Sequence, residues 1–117
     1  MTPTEKSIRL LKARGYPVVE RVEHWNSFAK CRQDLFGFAD LLAVISLVQS
    51  RLGDIPGQMV LVQTTTSANF SARRKKILAS KKAKIWLQAG GQIEIHGWKK
   101  GTAKDPRIEY ITLEMFS

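Results

Sequence analysis

Apolar residues recur along the chain in short clusters separated by glycines, prolines and charged runs. In the first cluster Ile8 and Leu11 lie three apart and Leu10 widens the stripe, a spacing that predicts an amphipathic helix. It should run from about Pro3 to Arg14. Thr2 is a good N-cap, Pro3 suits the first helical position, and Glu5 completes a T-x-x-E capping box. Gly15 supplies the stop, because glycine enters the left-handed region without a Cβ penalty, and Pro17 prevents resumption.

Val18 to Trp25 (VVERVEHW) alternates imperfectly and reads as a strand with one wet face. Asn26-Ser27 marks a turn, and residues 28–38 hold a strand return followed by a turn at Gly37. Ala39 to Val48 (ADLLAVISLV) is almost continuously apolar, as expected of a central strand buried on both faces. Gly53, Pro56 and Gly57 place a loop over 49–58. Met59 to Thr66 (MVLVQTTT) is rich in β-branched residues and reads as a second central strand. Ser67 or Asn69 caps a second helix from about Phe70 to Lys81, with Phe70, Ile77 and Leu78 inward. Ile85 to Gln88 reads as a short strand, Gly90-Gly91 as a hairpin turn and Gln92 to Lys99 as its return. After a polar loop over 100–106, Arg107 to Glu114 (RIEYITLE) alternates cleanly. The order α-β-β-β-α-β with further strands predicts one α/β domain over residues 1–117, a mixed central sheet with a helix on each side.

Length and composition fit that reading. A chain of 117 residues with 44% hydrophobic residues can build one core, which excludes wholesale disorder. Its densest apolar run, Leu41 to Val48, is far short of the roughly 20 residues of a membrane span. The charged N-terminus lacks the apolar segment of a secretory signal, and the single Cys31 allows no internal disulfide. A cytoplasmic location is the expectation.

Charge changes the picture more. Nineteen Lys and Arg against ten Asp and Glu leave a net +9, which attracts polyanions, nucleic acid above all. Seven cations stand between positions 73 and 84 without one acid: Arg73, Arg74, Lys75, Lys76, Lys81, Lys82 and Lys84. A solvated helix mixes signs to gain i,i+4 pairs, so this run favours a phosphate-binding face. Ser71 with the first helical amides, Lys30 and Arg32 are further candidates for phosphate contact.

Two polar residues interrupt the apolar strands, Asp40 and Gln63. A carboxylate beside a buried strand is costly unless it has a partner or a metal. If the two strands are neighbours, the side-chain oxygens of Asp40 and Gln63, with the carbonyl of Thr64, suit a hard cation such as Mg²⁺ or Mn²⁺. Glu5 could add a carboxylate from the first helix. Asp34 is a weaker metal candidate, since aspartate commonly starts turns. His24, His96 and Cys31 show no zinc spacing, and the chain has neither a Walker loop nor G-x-G-x-x-G, so no small-molecule cofactor is expected. Trp86 and Trp98 are expected to pack on the sheet. Trp25 is read as a packing residue too, with stacking on an unpaired base as the alternative.

Taken together, helix Glu5, the segment Phe36-Gly37-Phe38-Ala39-Asp40, and Gln63-Thr64-Thr65 at a strand end resemble the PD-(D/E)XK nuclease superfamily. KCRQDLFGFAD and the later VQTTTSANFSARRKKI are similar to its small phage-type and archaeal Holliday junction resolvases and virus-type replication-repair nucleases. The resemblance spans roughly residues 4–98. It implies a restriction-endonuclease-like αβββαβ core and Mg²⁺-dependent cleavage of branched DNA in a prokaryotic or phage-infected cell. A homodimer would make the paired cuts. Asp40 matches the family's metal-binding aspartate and Glu5 its helix glutamate, while Gln63 and Thr65 replace the usual acid and lysine. Those two departures keep open a non-catalytic nucleic-acid-binding module, or an accessory protein that uses its basic face for assembly.

Overall fold

The computed structural model describes residues 1–46, 52–54, 56–100 and 105–116. Helix α1 (Pro3–Ala13) starts as expected, with the Thr2 hydroxyl accepting the Glu5 N–H at 3.2 Å. It ends in a Schellman motif around Gly15 (φ 97°), the Tyr16 N–H reaching the Leu11 carbonyl and the Gly15 N–H the Lys12 carbonyl.

Five strands form the main sheet: β1 (Val18–Arg21), β4 (Leu41–Ile45), β5 (Gln58–Thr66), β6 (Gln92–Trp98) and β7 (Arg107–Ile111), in spatial order β1-β4-β5-β6-β7. β5 and β6 run parallel and every other neighbouring pair is antiparallel, so the sheet is mixed. A separate two-stranded hairpin pairs β2 (His24–Asn26) with β3 (Cys31–Gln33). Helices α2 (Phe70–Leu78) and α3 (Lys81–Gln88), after a 3-10 turn at Ser67–Asn69, carry the chain from β5 to β6.

Alternation along the strands assigns the two faces of the sheet. Leu41, Ala43, Val60 and Val62 pack with Leu11 and Tyr16 on the α1 side. Leu61, Ile93 and Ile95 pack with Phe70, Ile77 and Ala83 on the α2–α3 side. One helical layer therefore lies on each face, as the pattern predicts.

Some expected elements come out differently. The 18–25 segment is two strands in two sheets, because the chain leaves the main sheet after Arg21. The predicted 39–48 strand is confined to Leu41–Ile45, with residues 47 and 48 outside the described set. The second helix does not run on to Lys81. Ser80 adopts extended geometry (φ −91°, ψ 119°) and its hydroxyl caps the Ala83 N–H at 3.2 Å, so α3 begins afresh. Ile85 to Gln88 is the end of that helix rather than a strand. Gly90-Gly91 is accordingly a helix stop, with the Gly91 N–H on the Trp86 carbonyl and the Gly90 N–H on that of Leu87. Gly97, mid-strand in β6, makes room for Phe70: a Cβ there would lie 2.5 Å from the Phe70 ring.

On the α1 face β6 is polar. His96 Nδ1 lies 2.9 Å from the Ser7 hydroxyl, which also accepts the Trp98 indole N–H at 2.9 Å. His96 Nε2 meets Glu94 Oε1 at 2.9 Å, and Arg14 grips both Glu94 oxygens at 2.8 and 3.2 Å. Burial alone would raise the Glu94 carboxyl, but His96 and Arg14 outweigh it and hold its pKa below the ordinary value. The serine–histidine–glutamate order is that of a nucleophilic triad, yet all three residues are buried, so no substrate reaches Ser7. Its role is to give a buried polar layer complete hydrogen bonding. Trp98 is buried as expected and Trp86 half-buried, whereas Trp25 is exposed.

Candidate metal centre and nucleic-acid surface

Asp40 stands just before β4, beside Val62–Thr64 near the end of β5. Its N–H bonds the Val62 carbonyl at 2.9 Å, which continues the β4–β5 ladder by one residue. That register brings Asp40 against Gln63 and Thr64. Asp40 Oδ2 accepts the Gln63 amide N–H at 2.8 Å, the Thr64 backbone N–H at 2.8 Å and the Thr64 hydroxyl at 3.1 Å. Thr4 of α1 meets the same hydroxyl at 2.8 Å. The two residues singled out from separate strands are thus in direct contact.

Two further carboxylates arrive by local backbone geometry. The Val22 N–H bonds the Asp40 carbonyl at 2.9 Å, and this holds Glu23 beside Asp40 where the chain leaves β1. Leu35 and Ala39 form an isolated antiparallel bridge across a tight turn. Phe36 (φ 57°) and Gly37 (φ 80°) both have positive φ, the signature of a type I′ turn, and the Phe38 N–H closes it on the Leu35 carbonyl. A phenylalanine rarely adopts this region, so the turn stores strain next to the site. Its effect is to return Asp34 toward Asp40. Carboxylate oxygens of Glu23, Asp34 and Asp40 lie within 4.8 Å of one another.

The electrostatics follow. Burial is the main cause that pushes Asp40 up to about 7. Asp34 adds its negative charge and a hydrogen bond to the protonated acid, while the Thr64 N–H pulls the other way. Gln63 is buried too. Its amide nitrogen is spent on Asp40 and on the Thr64 carbonyl at 3.1 Å, which leaves Oε1 buried without a partner among the described residues. A buried acceptor without a donor is uncommon and calls for an explanation. Three crowded carboxylates offer oxygen donors of the kind that could hold a hard divalent cation.

These residues line a cavity of about 870 Å³, whose wall also carries Arg32, Arg73, Lys76 and Lys82. Cations from α2 and α3 therefore line the same cavity as the acidic centre.

The remaining candidates divide. Glu5 stays with α1's cap, its carboxylate accepting the Thr2 hydroxyl at 3.1 Å, and it lines the neighbouring cavity instead of joining the carboxylate cluster. The Thr64 carbonyl is engaged by Gln63, so Thr64 serves the site as a donor to Asp40 rather than as a ligand. Thr65 is buried farther along β5 and is not among the residues that line the cavity. Arg73 and Lys76 reach the cavity; Arg74 is tied by an ion pair to Glu109 of β7 and touches Met115. Lys75 and Ser71 are exposed on α2 away from the cavity lining, and Lys30 is exposed in the β2–β3 turn. Arg32 lines the cavity while paired to Glu23 at 3.1 Å. No sequence pattern marks Glu23 as a site residue, and Asp34 stands below Asp40 as a metal candidate. The turn residues around Gly37 were a visible signal for Asp34, but nothing local marks Glu23.

Comparison with known proteins returned no match: no protein-family model, no curated protein and no solved structure matches the chain.

Proposed function

We propose that the protein is a metal-dependent endonuclease acting on branched or structured DNA, built on a core of the PD-(D/E)XK type. One observation carries the reading. Glu23, Asp34 and Asp40 converge in a cavity that Gln63 also lines and that is walled by cations, on a chain of net charge +9. With the β2–β3 hairpin set aside, the main-sheet succession α1-β1-β4-β5, then α2 and α3, then β6 parallel to β5, supports it.

Asp40, Asp34, Glu23 and Gln63 would hold Mg²⁺ or Mn²⁺, whose chemistry is to neutralise phosphate charge and make water a better nucleophile. Thr64 orients Asp40 through two donors. Arg73, Lys76 and Lys82 seat the phosphodiester and supply the positive charge that Thr65 lacks. A homodimer would place two such centres on the two strands of a four-way junction.

Gln63 in place of an acid, and Thr65 away from the cavity, favour a second reading: a binding module that keeps the surface without the reaction. Labelled junction, flap, duplex and single-stranded DNA incubated with the protein in Mn²⁺ separates the two. Cleavage that Asp40→Ala abolishes supports the nuclease. Binding with a steep salt dependence and no cleavage supports the module, and cleavage that survives Asp40→Ala removes this centre from the mechanism.

A further inference from the structure

The β2–β3 hairpin buries almost nothing. Five of its six paired residues are exposed, and it stands outside the main sheet. Two short strands gain little stability alone, so packing does not explain the aromatics they carry. Trp25 is 62% exposed and Phe28, in the turn, 99% exposed. The turn itself is built. The Asn26 side-chain oxygen accepts the Phe28 N–H at 2.9 Å and the Ala29 N–H at 3.1 Å, which fixes the backbone that presents the phenyl ring.

The position of Trp25 says what it faces. It lines a cavity of about 710 Å³ that shares Glu23, His24 and Arg32 with the carboxylate cavity. Trp25 is also the register partner of Arg32, which puts an indole and a guanidinium opposite one another on the hairpin. A ligand whose charged part occupies the cationic cavity would lay its next flat group beside Trp25. Nucleic acid alternates phosphates with π faces in this way, and an unpaired base offers its face to an exposed ring.

We infer that Trp25 and Phe28 form a stacking platform for unpaired bases next to the phosphate seated in the carboxylate cavity, so that the hairpin selects DNA with unstacked nucleotides over continuous duplex. The inference rests on the nucleic-acid reading above and adds to it the two residues that discriminate. Every base has a π face, so the selection is for unpaired structure and not for sequence.

The test is fluorescence anisotropy in EDTA with two labelled probes, a continuous DNA duplex and the same duplex interrupted by a short run of unpaired nucleotides. The wild type should bind the interrupted probe about tenfold more tightly, the scale expected when a base stacks on an aromatic ring. Trp25→Ala should abolish most of that preference and Phe28→Ala part of it, with duplex affinity held within about twofold, whereas Trp25→Phe should retain it. The inference is overturned if Trp25→Ala keeps the preference, or if it weakens both probes equally. The polyanion surface would survive either result. Failure of the wild type to bind either probe would overturn both the platform and the nucleic-acid reading beneath it.

Discussion

Replacing Asp40 by asparagine should make the metal-free protein more stable at neutral and alkaline pH. The folded site lifts Asp40 from its ordinary 3.8 to about 7, first through burial and then through Asp34. Between those two pH values the folded protein keeps a proton that the unfolded chain has lost. Unfolding then releases a proton, so this group's stabilising contribution is full below 3.8 and gone above about 7. The difference is worth at most about 4 kcal/mol. Asparagine imitates the protonated acid. Its oxygen can accept from Gln63 and Thr64 as Oδ2 does now, and its NH₂ can donate to Asp34. With an unfolding entropy of roughly 0.25 kcal/mol/K for a chain of this size, the ceiling on the gain is roughly 15 °C in Tm. Thermal unfolding followed by circular dichroism in EDTA from pH 4 to 8 measures it. The two proteins should melt together near pH 4 and diverge as pH rises, with Asp40→Asn higher. Adding Mg²⁺ at pH 8 should raise the wild type and leave the variant unmoved. A Tm gap that does not change with pH, or a variant that melts lower at pH 8, would refute the argument that like-charge crowding and burial strain this site.

Glu94 behaves in the opposite sense. Arg14 and His96 hold its pKa low, so its contribution is present above the unfolded value of 4.5 and is lost as pH falls through the folded one. Glu94→Gln should flatten the acid limb of the stability curve, and Glu94→Ala, which strands Arg14 and buried His96, should cost about 3–5 kcal/mol in urea unfolding. Adjacent arginines of α2 should also part company. Arg73→Ala with Lys76→Ala should reduce the slope of log Kd against log salt by about 2, one for each lost phosphate contact. Arg74→Ala should leave that slope alone and instead lower Tm, because this side chain joins α2 to Glu109 of β7.

Where a signal is local, the residues announce it. The Thr2 cap, Pro3 and the Gly15 stop bound α1 because capping bonds join residues only a few positions apart. The β-branched run of β5 and the alternation of β7 likewise show in the order of side chains. The strand expected over Ile85 to Gln88 is a helix end, because the apolar triplet Ile85-Trp86-Leu87 fits either element and the start signal lies upstream at Ser80. Its cap on Ala83 decides the matter, and Gly90-Gly91 then becomes a stop instead of a hairpin.

The basic face and the suspicion that falls on Asp40 and Gln63 were already present in composition and pattern: a net +9, and polar groups set in apolar strands. Which carboxylates meet was decided only in three dimensions. Glu23 reaches the centre because β1 ends at Arg21 and Val22 bonds across to Asp40, and Asp34 because two consecutive positive φ angles reverse the chain. Glu5, a candidate through the family resemblance, remains at the helix cap that its pattern predicts. The reason is physical: caps, turns and alternation depend on near neighbours in the chain, whereas the meeting of Glu23 and Gln63 with Asp40 depends on hydrogen bonds between strands, whose register no short stretch of sequence contains.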